Sequence, residues 1–167
     1  WEFTAGGRVD SPPTIHEGMA IFGCYDGRIY CLRAADGALA WRFNAAVTDR
    51  LIVSCGQMES VSPVHGSVLV EDGVVYAVAG RNSFLDGGMR IYGLDPKTGA
   101  VVAKKDVTAG ALPDVLSCDG KNIFMRHKRY DKKLAEQKGR VPHLYSAAGF
   151  LDGQWWHRTY WLFGSQM

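Results

Sequence analysis

The chain has 167 residues and a formal net charge of +2. That length is enough for one domain with a real core, and so balanced a charge lends no support to a nucleic-acid or acidic-substrate reading. Twenty glycines and 11% aromatic residues suit an all-β protein with many turns, and no apolar run approaches the roughly 18 residues of a membrane span.

No signal peptide is evident, and residue 1 is Trp1 rather than Met. The chain therefore reads as a fragment, a processed product or the ordered part of something longer. Taken in order, it repeats itself. Trp1-Glu2-Phe3 returns as Trp41-Arg42-Phe43. Residues 9–18 align with 64–73, and a weaker copy occupies 114–120; each is a short strand closed by an acidic-Gly turn. The next strand recurs at 19–24, 74–79 and 121–126, and the next turn at 25–27, 85–87 and 151–153. After it come Ile29-Tyr30-Cys31-Leu32 and Ile91-Tyr92-Gly93-Leu94, then the turns Ala35-Asp36-Gly37 and Lys97-Thr98-Gly99. In the second copy the Trp41 position is Ala103.

The repeat predicts a single partial domain over 1–167, with units at about 1–43, 44–103 and 104–167, each made of four short antiparallel strands. Such a sheet cannot bury both faces alone, and radial stacking of several sheets solves this as a β-propeller of about three to four blades. Asp26-Gly27 reads as a two-residue type I′ turn. That register sets Cys24 opposite Ile29 and Cys31 opposite Phe22, a diagonal pair on one face with poor disulfide geometry. All four cysteines (Cys24, Cys31, Cys55, Cys118) read as small buried residues.

The pattern Ser11-Pro12, Glu17-Gly18-Met19-Ala20-Ile21-Phe22-Gly23, Asp26-Gly27-Arg28-Ile29-Tyr30-Cys31-Leu32 and Asp36-Gly37 to Trp41 resembles the pyrroloquinoline quinone (PQQ)-type β-propeller repeat. The resemblance is specific over 1–103 and weaker beyond. It implies blades that dock through tryptophans, in a ring of about seven or eight blades. Further blades would come from a longer parent chain or from other copies. The repeat occurs in quinoprotein alcohol dehydrogenases and in non-catalytic propellers, including outer-membrane assembly lipoproteins. A periplasmic or extracellular location is implied by the resemblance alone.

Insertions on a regular scaffold carry function. Residues 44–62, with Arg50 and Glu59, join one unit to the next, and 80–88 lengthen a middle hairpin with Arg81, Asn82 and Asp86. Together with 150–154, which contain Asp152, they are expected on one rim as a polar ligand site. The plainer reading of Asp26, Asp86 and Asp152 is turn formation, and of Arg81 loop ordering. His65, at the start of an inner strand near the channel axis, is the histidine most worth testing. Trp155 and His157, in the aromatic stretch 155–163, can stack on a sugar or planar cofactor or simply pack blades together. The basic segment 128–143 reads as a solvated loop with a short helical turn at 132–137. No histidine spacing suggests a metal.

Two functions compete, besides an enzyme of another kind completed by segments outside this chain. One is a non-catalytic binding and interaction scaffold without a cofactor. The other is part of a PQQ- and calcium-dependent dehydrogenase. The resemblance implies for the latter a calcium held by Glu and Asn, an Asp base and a stacking Trp, roles open to Glu59, Asn82, Asp86 and Trp155. No Cys-Cys pair of the alcohol dehydrogenase type occurs.

Overall fold

The computed structural model describes residues 1–54, 56–107, 110–145 and 161–165. Strands β1 (Thr14–His16), β2 (Met19–Gly23), β3 (Arg28–Arg33) and β4 (Leu39–Asn44) form a four-stranded antiparallel sheet in sequential order. After the hairpin β5 (Leu51–Ser54) and β6 (Gln57–Ser60), a second four-stranded sheet follows: β7 (Leu69–Glu71), β8 (Val74–Ala79), β9 (Met89–Leu94) and β10 (Val101–Val107). A third sheet has three strands, β11 (Leu116–Cys118), β12 (Asn122–Met125) and β13 (Lys128–Asp131); β14 (His143–Tyr145) pairs with β15 (Leu162–Gly164). No helix occurs among the described residues.

Local turn chemistry explains the pairing. Glu17-Gly18 and Asp72-Gly73 have positive φ at both positions (45° and 76°, 47° and 70°), as two-residue type I′ hairpins require. The Asp26-Gly27 turn differs from expectation. Gly23 pairs with Ile29 and Ile21 with Cys31, so the loop has three residues, Tyr25 to Gly27, and only Gly27 has positive φ (84°). Asp26 instead accepts the Arg28 amide at 3.0 Å, an Asx-type turn that competes with the type I′ geometry. The one-residue shift puts Cys24 and Cys31 on opposite faces, both buried and free. Cys118 is also free but exposed, because it ends β11 just before the Asp119-Gly120 turn; Cys55 lies outside the described residues.

The third unit departs most from the reading. Its middle hairpin is Arg126-His127, since Met125 pairs with Lys128, whereas the expected turn at 151–153 lies outside the described residues. The basic segment is not a solvated helical turn. Its first part is β13, and Tyr130 and Leu134 are buried. At 132–137 a turn returns the chain to a bridge between Tyr130 and Glu136.

The sheets pack face to face like propeller blades. Ile21, Ile29 and Cys31 of the first sheet share a core with Val75, Ala77 and Leu94 of the second. The opposite face of the second, with Tyr76, Val78 and Ile91, shares another core with Ile123, Met125 and Tyr130 of the third.

Tryptophans fasten the seams. Trp1 Nε1 donates to the Ala34 carbonyl at 2.9 Å, and Trp41 Nε1 to the Pro96 carbonyl at 2.8 Å. Each indole lies over the glycine of the next turn, Gly37 or Gly99, where a Cβ would overlap the ring. Both glycines have positive φ (74° and 71°). The next seam inverts this arrangement. Ala103 holds the tryptophan position, and the corresponding turn carries Leu134 at φ 64°, buried in the same cluster against which Ala103 packs. Bulk missing from one side is supplied from the other.

Candidate functional site

The linker 44–62 and the extended hairpin 80–88 meet on one rim. Glu59 on β6 has no exposed surface, and its carboxylate faces Arg81 at 2.7 Å and Arg8 at 3.4 Å. Burying a carboxylate is tolerable only with such cationic partners. Arg8 also reaches Asp10 at 2.9 Å and lies 4.0 Å above the Tyr25 ring. The Tyr25 hydroxyl is 3.2 Å from His65 Nδ1, and the two rings meet edge to face at 5.1 Å.

Backbone bonds frame this group. The Tyr25 amide donates to the Arg8 carbonyl, the Ser60 amide to the Tyr25 carbonyl, and the Gly80 amide to the Pro63 carbonyl. Burial and then the charge of Arg81 push His65 down to about 4, so it is neutral at physiological pH. Burial also raises Tyr25, although the hydrogen bond from Arg8 opposes the shift. The buried hydroxyls of Ser11, Ser62 and Ser83, on the segments that carry the cluster, have no hydrogen-bond partner among the described residues. Such groups recruit ordered water or polar ligand atoms.

Arg50 pairs with Asp86 at 3.2 Å and ties the two insertions together. Asn82 Oδ1 accepts the Phe84 amide at 2.8 Å and orders its own loop. The structure therefore joins Glu59, Arg81 and His65 in one cluster and Arg50 with Asp86 in a second contact, while Asn82 serves the turn. Asp152, Trp155 and His157 lie outside the described residues.

Sequence reasoning missed Arg8 and Tyr25, whose roles depend on contacts across sheets. It also missed the network at Asp26, which accepts the Tyr30 hydroxyl at 2.5 Å and Arg28 at 3.1 Å. Burial alone would raise Asp26, but hydrogen bonds from Tyr30, Cys24 and Arg28 outweigh it and hold it below the usual aspartate range.

The hairpin β5–β6 presents Leu51, Val53 and Met58 on one face, since Val53 pairs with Met58 and Leu51 lies two residues away. All three side chains are more than half exposed, as are Phe84 and Leu85 on the neighbouring loop.

Of the residues open to a calcium–quinone group, Glu59, Asn82 and Asp86 do not fit it, and Trp155 lies outside the described residues. Both oxygens of Glu59 face guanidinium groups, Asn82 Oδ1 is used in its turn, and Asp86 is paired with Arg50. No cluster of three or more potential metal ligands exists among the described residues.

The family model described as outer membrane protein assembly factor BamB matches residues 1–112. Among solved structures, the chain is similar to BamB from Moraxella catarrhalis at 19% identity and a TM-score of 0.56, over 84% of this chain and 39% of that one. It is similar to a europium-containing methanol dehydrogenase at 13% identity and a TM-score of 0.55, over 84% and 27% of the two chains. A quinohemoprotein alcohol dehydrogenase from Comamonas testosteroni gives 15% identity and a TM-score of 0.53, over 79% and 21%. At these identities the likeness is one of fold, and the chain spans less than half of each structure. No curated protein matches it.

Proposed function

Since the chain belongs to the family described as outer membrane protein assembly factor BamB, a family of PQQ-like propellers, we infer that it is a non-catalytic binding and interaction scaffold acting outside the cytoplasm. The observation that carries this reading is the rim. Two hairpins hold Leu51, Val53, Met58, Phe84 and Leu85 out in solvent and are braced beneath by Glu59–Arg81 and beside by Arg50–Asp86. Exposed apolar side chains on two hairpins joined by the Arg50–Asp86 pair offer a surface for protein binding, and a braced backbone lowers the ordering cost of association. The rim's charges neutralise one another, and the neutral His65 faces the Tyr25 hydroxyl.

The other partners in this reading are further blades. On the first sheet's face away from the second, Ala20, Phe22 and Leu32 are buried, with Phe3 and Ala5 packed beside them, and together with Trp1 and Phe3 they border an apolar groove of about 460 Å³. Its equivalent on the second sheet is already covered by the first. Blades from the same parent chain or from further copies would cover it in the same way. The periplasmic or extracellular setting is taken from the family's outer-membrane description.

The test is site-specific photo-cross-linking in producing cells, with the probe at position 53, 84 or 104. Lys104 lies on the exposed side of β10. One shared protein adduct at 53 and 84, absent at 104, is the expected result. No adduct at the two rim positions, or equal adducts at all three, would overturn the reading.

A further inference from the structure

A second concave site lies on the third sheet and uses none of the rim residues. It is a pocket of about 290 Å³ lined by Phe124, His127, Arg129, Arg140, His143 and Tyr145, with Gly139 and Val141 flanking Arg140 and Ser165 completing the wall. The hairpin β12–β13 sets Phe124 opposite Arg129 and puts His127 at its turn. The His143 ring stacks on Phe124 at 4.2 Å, nearly parallel, and its two nitrogens lie 2.9 Å and 2.7 Å from the Val141 and Arg126 carbonyls. That ring is fixed as a wall of the pocket.

The lining has two arginines, two histidines and no acid. Neighbouring cations are committed elsewhere, Lys128 to Glu136 at 2.7 Å and Arg126 to Asp114 at 3.4 Å. Arg129 bonds the Lys138 carbonyl and keeps a buried Nε without a hydrogen-bond partner. Arg140 is exposed and has no ion pair or hydrogen bond among the described residues. His127 is lowered by loss of hydration and then by Lys128 and Arg126, which marks the spot as electropositive. The net charge of +2 averages over the chain and hides this local excess.

The geometry points to a binding site for a phosphomonoester group, with Arg129 and Arg140 as the charge-bearing forks and His127 as a further donor. A phosphate dianion offers three acceptor oxygens and close to two negative charges, which suits two guanidinium groups; a carboxylate is satisfied by one. The pocket exceeds a bare phosphate, and Val141 and Tyr145 supply apolar wall for a small attached body. The phosphate can belong to a soluble phosphorylated small molecule or to a lipid headgroup.

The test is calorimetric titration of the intact chain with glycerol 3-phosphate, together with sedimentation against phosphatidylcholine vesicles with and without phosphatidic acid. Saturable binding that weakens at least tenfold in Arg140→Ala and in His127→Ala, but not in Lys104→Ala, is expected. Binding of glycerol 3-phosphate identifies the soluble source, and binding only to phosphatidic acid vesicles the lipid source. Arg140 and His127 are both exposed, so neither variant should threaten the fold, and circular dichroism checks this. No saturable binding to either probe would overturn the assignment, as would equal weakening by Lys104→Ala or none by Arg140→Ala.

Discussion

Replacing Gly99 by alanine tests the docking of one blade on the next. Gly99 sits at φ 71°, where a Cβ costs about 1–2 kcal/mol from backbone sterics alone. That Cβ would also lie 2.7 Å from Trp41 Cε3 and 2.8 Å from Cδ2, deep inside contact distance. The indole must move, and it is held by the bond to the Pro96 carbonyl. Displacement costs about 1–3 kcal/mol of overpacking, plus about 1 kcal/mol if the hydrogen bond is lost. Gly73 is the matched control, with φ 70° and nothing within 4 Å of an added Cβ. Gly99→Ala should therefore destabilise the chain by roughly 1–4 kcal/mol more than Gly73→Ala. Urea unfolding followed by circular dichroism reads the difference as a shift in midpoint at constant slope. Equal losses in the two variants, within about 0.5 kcal/mol, would refute the docking argument.

The seam between the second and third sheets gives the converse experiment. Ala103→Trp and Leu134→Gly should each destabilise by about 1–4 kcal/mol, through overpacking and cavity formation respectively, while the double variant recovers at least ~1 kcal/mol of the sum in a urea cycle; strict additivity would contradict the exchange of bulk. His65 is held at about 4 when folded, against an ordinary value of 6.5, so protonation favours the unfolded chain. Stability should fall by up to about 3 kcal/mol as pH drops from about 6.5 to about 4. His65→Gln should flatten that limb, and urea midpoints at the two pH values decide. Glu59→Gln leaves Arg8 and Arg81 facing a neutral amide in a buried site and should cost about 2–4 kcal/mol; thermal unfolding within experimental error of wild type would exclude a structural role for the cluster.

The fold was legible because the repeat writes its turns in residue types. Glu17-Gly18 and Asp72-Gly73 mark strand-closing turns, which the structure forms as type I′ hairpins, and the offset from Gly37 to Trp41 marks a docking side chain. Asp26-Gly27 has the same letters but another geometry, because the Asp26 carboxylate bonds the Arg28 amide and the Tyr30 hydroxyl. That competition depends on a residue four positions on, which a dipeptide signal does not contain. The third unit was misread for a similar reason. Arg126 and Leu134 adopt positive φ without being glycine, so the hairpin at Arg126-His127 carries no turn signature, while Asp152-Gly153 does. On the rim, Glu59 and Arg81 were picked out because they sit in insertions. Their contact, and the part played by Arg8 and Tyr25, needed three segments far apart in sequence to be brought together. The exposed apolar face of β5–β6 was hidden inside a stretch that reads as a linker, since Leu51 and Val53 alternate over too few residues to declare a strand.

The central claim is that this propeller segment is a binding scaffold rather than part of a quinone enzyme. Native mass spectrometry of the purified chain, with and without added PQQ and calcium, tests it most directly. The account predicts the 18.3 kDa mass, or whole multiples of it, unchanged by either addition. An added mass equal to one quinone, appearing only when calcium is present, would contradict it.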